Sequence, residues 1–185
     1  FSQGSLRQTD NTYDIAISGN GFFTIEFKNK AGETSTKYTR DGGFTLNKDG
    51  YLVTKDGDYV LNAAGAAAMN PNPANYIRVA NLTATAVDEM GYIYQNDQLV
   101  GTIGVVDVEN YDYLEKYGEN MYNLVEGGTI IPSQAKVRQG MLESSNVNVV
   151  DEMVNMIVAQ RAYELNSKAI TASDEMLQQA NQLRR

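Results

Sequence analysis

The sequence predicts a mainly β body domain over residues 1–145, followed by one long C-terminal helix over residues 146–185. Short apolar stretches with period two, separated by glycine-containing turns, continue as far as Glu143. Neither Pro nor Gly occurs between Asn148 and Arg185, and apolar residues recur there every three or four positions. Since period two gives way to the helical period at residues 143–146, we place the domain boundary there.

The first predicted strand pair lies in residues 13–27, YDIAISGNGFFTIEF. Isoleucines alternate with small residues before the turn, and Phe23, Ile25 and Phe27 share one face after it. The glycines of residues 19–21 have a superficial likeness to a phosphate-binding loop. Such a loop must open a helix, whereas a β-type segment follows here. We therefore interpret these glycines as a hairpin turn.

An approximate internal repeat, LNKDGYLV followed by VTKDGDYVL, predicts a meander of short strands. Asp49-Gly50 and Asp56-Gly57 are typical hairpin turns, because glycine reaches positive φ without steric cost. Asp49, Asp56 and Asp58 lack the spacing of an EF-hand calcium loop, so we assign them to turns. The candidates for the buried face are Leu46, Leu52, Val60 and Leu61.

The second half of the body is predicted from similar signals. The segment 62–75 is small and turn-rich, which indicates a surface loop, and the near-continuous apolar run 99–108 indicates a strand buried on both faces. Asn110 is expected to cap a short helical turn over 111–117. The remaining stretches are read as extended, and they are residues 76–87, 91–96 and 121–142.

Mostly apolar residues follow one face of the C-terminal helix. We call this set of residues the stripe and interpret it as an assembly interface. Its spacing of four, three and four residues keeps the members on one helix face, and the eleven-residue repeat predicts a nearly straight or slightly right-handed seam. Asn148 is a good N-cap, with Asp151 and Glu152 in the first turn. The members of the stripe are Val150, Val154, Ile157, Arg161, Leu165, Ala169, Ala172, Met176 and Leu183.

The length of this helix favours contacts outside the chain. At 1.5 Å per residue it extends on the order of 50 Å, which is longer than a compact body of this size can cover. A long core helix is the alternative interpretation. Isolated helices depend on packing of their apolar face, and we find no second helix pattern in the sequence.

The amino-acid composition argues against several classes of function. The net charge is −8, and about −7 of it belongs to the body, which disfavours binding to nucleic acid or to an anionic membrane. The chain has no His and no Cys, so the commonest general base, the commonest metal ligand, thiolate nucleophiles and Cys-based metal sites are missing. We therefore predict no catalytic residues, no cofactor, no metal and no small-molecule substrate.

Several stretches resemble the rod and hook subunits of the bacterial flagellar axial family, and the distal-rod members most of all. They are DIAISGNGFF, YTRDGGFTLNKDGYLV, LEKYGENMYNL and MLESSNVNVVDEMVNMIVAQRAYELNSKAI. The resemblance implies a β body and a helical domain built from both chain ends, with the family's N-terminal helical segment lying upstream of this sequence. It further implies a structural subunit of a hollow helical rod that transmits torque and lets exported protein pass.

The same resemblance implies partners and a location. The expected partners are copies of the chain itself, neighbouring rod and hook proteins, and surrounding ring proteins. The expected location is the flagellar basal body, outside the cytoplasmic membrane, after type III export.

The sequence leaves two other classes of function open. An extracellular β-rich adhesin or carbohydrate-binding module is suggested by 12 Tyr against 5 Phe, although their scatter along strands fits cross-strand packing. An enzyme without His or Cys would need paired carboxylates or an activated Ser or Lys, and the sequence pairs none.

Overall fold

The computed structural model describes residues 3–80, 84–118 and 120–183. Within these ranges the chain forms sixteen strands, two α-helices and two single turns of 3₁₀ helix, Pro73–Asn75 and Tyr111–Tyr113. The helices are α1 (Ala63–Ala68) and α2 (Val149–Leu183). The strands are β1 (Leu6–Gln8), β2 (Ile15–Ser18), β3 (Phe22–Lys28), β4 (Thr34–Thr39), β5 (Thr45–Leu46), β6 (Leu52–Val53), β7 (Tyr59–Val60), β8 (Thr85–Val87), β9 (Tyr92–Gln95), β10 (Gln98–Thr102), β11 (Val105–Val108), β12 (Leu114–Tyr117), β13 (Met121–Leu124), β14 (Ile130–Pro132), β15 (Lys136–Gln139) and β16 (Met141–Glu143).

The chain divides into two compact units, Phe1–Ser145 and Asn146–Arg185. The first unit contains all the described strands, and the second contains α2. This architecture confirms the predicted fold class, a mainly β body followed by one long C-terminal helix. In the described ranges, no helix combines the length and apolar character needed to span a membrane.

Strand β3 is the centre of the largest sheet. It pairs antiparallel with β4 along its whole length on one side, and with β7 and β11 on the other. The sheet runs in the order β12-β13-β4-β3-β7-β6-β5, with β11 also carrying β14. Three smaller sheets complete the body, and they are β10-β9-β8, β15-β2 and β1-β16.

The side chains of β3 supply both faces of the body core. Phe23 and Ile25 enter one apolar cluster, while Phe22 enters a second cluster with Tyr38 of β4. The polar residue between them, Thr24, donates its hydroxyl to the carbonyl of Gly104 at 3.0 Å. Because both faces are covered, the polar residues Thr24 and Glu26, which alternate with the apolar residues of β3, are buried as well.

The two clusters hold most of the buried apolar side chains. The larger cluster comprises Ile15, Ile17, Phe23, Ile25, Phe44, Leu52, Val60, Ile77, Val79, Ile93, Ile103 and Val137. The smaller comprises Phe22, Tyr38, Ala66, Val106, Val108 and Leu114. Of the four positions predicted for the buried face, Leu52, Val60 and Leu61 are buried and Leu46 is half-buried.

The predicted turns are present. Gly19 and Gly21 both have positive φ between β2 and β3, and Gly50 and Gly57 have φ of 80° and 95° in the two Asp-Gly turns. The amides of Gly50 and Gly57 donate to the carbonyls of Asn47 and Thr54 at 3.0 and 3.1 Å. These contacts are those of tight turns, as predicted.

The predicted surface loop over 62–75 is wrong in part, because it contains α1. Asn62 caps this helix by accepting the amide of Gly65 at 2.8 Å. A Cβ added to Gly65 would lie 2.6 Å from the Cβ of Asn75, and Ala66 is fully buried in the smaller cluster. The small residues of this segment therefore allow α1 to pack closely against Asn75 and the smaller cluster.

Two further predictions need correction. The apolar run 99–108 is two strands, and Leu99 in β10 is 57% exposed instead of buried on both faces. The run is interrupted at Gly104, where an added Cβ would lie only 2.7 Å from the carbonyl oxygen of Asn62. The helical turn expected over 111–117 is a single 3₁₀ turn that Asn110 caps, followed directly by β12.

Candidate assembly surface

Helix α2 begins where the sequence places its cap. The side-chain oxygen of Asn148 accepts the amide of Val150 at 3.1 Å, and its carbonyl accepts the amide of Glu152 at 3.1 Å. Asp151 and Glu152 lie in the first turn, where a negative charge stabilises the helix dipole. The helix then continues for 35 residues.

The stripe of α2 lies on the surface. Its large aliphatic members, Val150, Val154, Ile157, Leu165 and Met176, are 52% to 70% exposed. Ala169, Ala172 and Arg161 are exposed as well, while the side chain of Leu183 lies outside the described residues. The structure thus places eight of the nine predicted site residues on one exposed helical element.

Polar side chains of α2 form local hydrogen bonds within the helix. Arg161 donates to Glu164 at 3.5 Å, Gln160 donates to the same carboxylate at 3.4 Å, and Thr171 donates to the carbonyl of Ser167 at 2.7 Å. Exposed pairs of this kind contribute little to stability. The guanidinium of Arg161, 76% exposed, is therefore available for a carboxylate on another molecule.

A second set of apolar residues on α2 was missed by the sequence reasoning. We name Val149, Met156, Tyr163 and Ile170 the heptad line, because they follow one another at intervals of seven residues. All four are 64% to 77% exposed. Their regular spacing is visible in the sequence, but a search for one stripe with three- and four-residue steps passes over it.

The body brings its two ends together through β1 and β16. These strands pair antiparallel, with Leu6 opposite Glu143 and Gln8 opposite Met141. The amide of Ser144 continues the ladder by donating to the carbonyl of Ser5 at 2.8 Å. The chain therefore enters and leaves the body at one edge.

Arg40 fastens this edge to the core sheet. Its guanidinium forms a two-point contact with Glu143, at 2.9 Å from Nε and 2.8 Å from Nη2. Its remaining nitrogen donates to the carbonyls of Gly19 and Gly21 at 3.1 and 2.9 Å. The second oxygen of Glu143 accepts the amide of Gly4 at 2.8 Å. Nε and Nη2 of Arg40 both contact the same oxygen, Oε2 of Glu143. Hydrogen bonds between charged groups are stronger than those between neutral groups, and nothing in the sequence pattern linked these residues.

Other charged groups of the body have structural partners. The carboxylate of Glu26 is buried and accepts the hydroxyl of Tyr76, and burial is the first cause that raises the pKa of Tyr76, followed by that hydrogen bond. Lys37 is buried, donates to Asn123 at 2.8 Å and lies over the ring of Tyr117, and burial lowers its pKa. In the described part of the chain, no cluster of acidic side chains is arranged to hold a metal ion.

Comparison with protein families gives two matches. Residues 16–95 match the model described as the flagellar hook protein FlgE/F/G D1 domain. Residues 138–183, which include all of α2, match the flagellar basal body rod FlgEFG protein C-terminal model. The first match lies within the body, and the second covers the end of the body and α2.

Individual proteins are similar along nearly the whole chain. The flagellar basal-body rod protein FlgG of Buchnera aphidicola subsp. Schizaphis graminum is 36% identical over 99% of this chain and 69% of its own length. FlgG of Bacillus subtilis is 38% identical over 100% of this chain and 70% of its own length. The rod protein FlgF of Caulobacter vibrioides is 36% identical, over 97% and 69% respectively.

Proposed function

We propose that this chain, which belongs to the flagellar basal-body rod protein family and is a structural rod subunit, assembles through the stripe of α2. The observation that carries this proposal is the exposure of the stripe. Large aliphatic side chains follow one helix face over more than seven turns while more than half exposed. A soluble monomer rarely leaves such a continuous apolar surface uncovered.

The design of the body supports the same role. Pairing of β1 with β16 brings both chain ends to one edge, and Arg40 locks that edge to the core. A segment preceding the body would therefore leave it beside the residues that lead into α2. This arrangement suits a subunit in which a helical domain made from both ends packs in a tube and the β body decorates it.

We also propose the finer functions and partners that the family resemblance implies. A rod built from such subunits transmits torque because each helix is clamped between copies, and a hollow tube lets exported protein pass. Further partners are neighbouring rod and hook proteins and the rings around the rod. The subunit acts in the basal body, outside the cytoplasmic membrane, and reaches it by type III export.

The sequence-based alternatives are not favoured. Rod proteins match along nearly the whole chain, so the β-rich adhesin has no separate support. Members of this family are structural proteins, and the chain is accordingly not an enzyme.

Charge placed on the stripe tests the proposal. In the complete natural protein, Ile157→Asp or Leu165→Asp should abolish rod formation in electron micrographs and motility in cells. The reason is that an unpaired buried carboxylate costs several kcal/mol, repeated at every subunit. The body should still fold, which circular dichroism of the purified variant checks.

The matched control is Glu164→Ala. Glu164 lies just off the stripe, and its contacts with Gln160 and Arg161 are long, so this variant should assemble and swim nearly as the parent does. Normal swimming of cells that carry Ile157→Asp would show that the stripe is not an assembly surface.

A further inference from the structure

A cleft of about 550 Å³ opens on the surface of the body. It is lined by residues 48–50 of the turn between β5 and β6, by residues 78–80, and by Gln95 of β9 and Val100 of β10. Clefts of this volume are typical of sites for small ligands. All of these residues belong to the body, so the cleft is separate from α2 and from the stripe.

Hydrogen bonds within the body hold the walls of the cleft. In the turn, the side-chain oxygen of Asn47 accepts the amide of Asp49 at 3.0 Å. Gln95 is 7% exposed, and its side chain accepts the amide of Ala80 at 3.0 Å. The same side chain donates to the carbonyl of Ala80 at 2.9 Å and to the hydroxyl of Thr85 at 3.0 Å. The cleft is therefore preformed, and the amide of Gln95 is already occupied.

Two exposed cations border the cleft, and they are Lys48 at the tip of the turn and Arg78. Within the described residues, neither of them forms an ion pair with a carboxylate. The guanidinium carbon of Arg78 lies 5.8 Å from the centre of the ring of Tyr51, which itself makes edge contacts with the rings of Tyr59 and Tyr76. A planar guanidinium oriented in this way loses little freedom when it binds an oxyanion.

The charge of the cleft matches a single negative charge. Among its described lining residues, Asp49 supplies the one carboxylate, which is exposed and forms no ion pair with Lys48 or Arg78. Two cations and one carboxylate give the cleft a formal charge of +1, although the whole chain has a net charge of −8. A phosphate group has nearly two negative charges at neutral pH, so Asp49 would repel it more strongly than a carboxylate.

The wall formed by β10 is apolar. Val100 lines the cleft and is 39% exposed, which leaves part of its side chain open to a ligand. Burial of this surface favours a ligand with methylene groups next to its charge. A guanidinium, for its part, matches the two oxygens of a carboxylate.

We propose that this cleft binds one carboxylate on a short aliphatic stem, the side chain of a glutamate in an acidic segment of a partner protein. Arg78 donates to the carboxylate, Lys48 adds a second positive charge from the turn, and Val100 packs against the stem. Asp49 disfavours ligands with a second negative charge. The site adds a recognition surface on the body to the assembly surface proposed for α2.

Titration followed by NMR of the isotope-labelled chain tests this site. The probe is the blocked tripeptide N-acetyl-Gly-Glu-Gly-amide, and the matched ligand is N-acetyl-Gly-Gln-Gly-amide, which has nearly the same shape without the charge. The glutamate peptide should shift the amide signals of residues 48–50 and 78–80 to saturation. It should bind at least about fivefold more tightly than the glutamine peptide, and more tightly than inorganic phosphate.

Substitutions then assign the binding to individual side chains. Arg78→Gln should weaken binding of the glutamate peptide about tenfold, because it removes hydrogen bonds between charged groups. Lys48→Gln should weaken it about threefold, as expected for an exposed ion pair. Asp49→Asn should strengthen binding of inorganic phosphate about threefold, because it removes a like charge. Lys30→Gln is the matched control, since Lys30 is an exposed lysine between β3 and β4, and it should leave the affinity unchanged.

Several outcomes would overturn the inference. They are equal binding of the two peptides, tighter binding of phosphate than of the glutamate peptide, signal changes centred elsewhere on the body, and an unchanged affinity in folded Arg78→Gln. If Arg78→Gln does not fold, Lys48→Gln, at the exposed tip of a turn, decides in its place. Failure of this test leaves the proposed function intact, because the stripe takes no part in it.

Discussion

The β body and helix α2 treat their apolar residues in opposite ways. In the body, Phe23 and Ile25 of β3 lie in the larger apolar cluster, and each is at most 1% exposed. In α2, the large apolar residues of the described part are all exposed. The body thus contains its own stabilising contacts, whereas we propose that the stripe of α2 gains its contacts from other molecules.

The comparison separates stability from assembly in one chain. Burial of side chains in the body contributes free energy to folding, and substitutions there should change the free energy of unfolding. An exposed helix face contributes nothing of this kind until a neighbour covers it. Substitutions on α2 should therefore change polymer formation and leave the folding of the body almost unaffected.

The largest expected effect on folding is that of Phe23→Ala. Phe23 is fully buried, and its ring lies 5.1 Å from the ring of Phe44 in an edge-to-face contact. Truncation should lower the free energy of unfolding of the body by about 3–5 kcal/mol, because it leaves a cavity. Urea denaturation followed by near-ultraviolet circular dichroism measures this.

Tyr163→Ala is the matched control for that truncation. It also removes an aromatic ring, but from an exposed position on α2, and should change the free energy of unfolding of the body by less than about 0.5 kcal/mol. If Phe23→Ala and Tyr163→Ala lowered the free energy of unfolding equally, the contrast between a buried body core and an exposed α2 would be wrong.

The next effect is expected for Arg40→Ala. The substitution leaves the mostly buried carboxylate of Glu143 without its cation and frees the carbonyls of Gly19 and Gly21. We expect the free energy of unfolding of the body to fall by about 2–3 kcal/mol, in the same denaturation experiment. Arg161→Ala removes the exposed pair with Glu164 and should cost less than about 0.5 kcal/mol. A similar small cost for Arg40→Ala would show that the clamp contributes no stability.

Alkaline pH should weaken the body through its buried tyrosines. Burial raises the pKa of Tyr38 from 10.0 to about 12, so the unfolded chain releases this proton at a lower pH than the folded body. The stabilisation is complete below pH 10 and is lost as the pH rises from about 10 to about 12. Tyr38 alone should account for a loss of about 2 kcal/mol at pH ~11.5.

Urea denaturation at neutral and alkaline pH, with Tyr38→Phe as the control, measures this loss. The variant should be less sensitive to alkali than the parent by about the same amount, because it has no proton to release at that position. Identical pH profiles of parent and variant would contradict the assignment to Tyr38. Burial also raises the pKa of Tyr111 to about 12, so a smaller alkaline loss should remain in the variant.

The smallest effect is expected for removal of α2. We propose that the body folds alone, and truncation after Ser144 should leave a cooperatively melting β domain whose free energy of unfolding changes by less than about 1 kcal/mol. Thermal melting followed by circular dichroism measures this. Truncation after Gly140 is the sharper comparison, because it also removes β16 and with it the partner of β1 and the carboxylate held by Arg40. A molten or insoluble product from the first truncation would place the folding boundary elsewhere.

Local patterns determined much of this protein from sequence alone. The Asp-Gly turns, the strand pair around Gly19 and Gly21, the Asn148 cap and the stripe all depend on residues within a few positions of one another. Backbone preferences and side-chain periodicity act over that range, so reading them requires no knowledge of what packs nearby. The family resemblance adds the role of rod subunit to these elements.

Only the tertiary structure decided the remaining features, because they join residues that are distant in the chain. Pairing of Leu6 with Glu143, and of Arg40 with the same carboxylate, depends on the path of the whole body between them. The small residues of α1 look like a loop until Asn75 and the smaller cluster are seen to pack against them. Propensity and period describe a segment by itself, whereas burial and charge pairing depend on which surfaces the fold brings into contact.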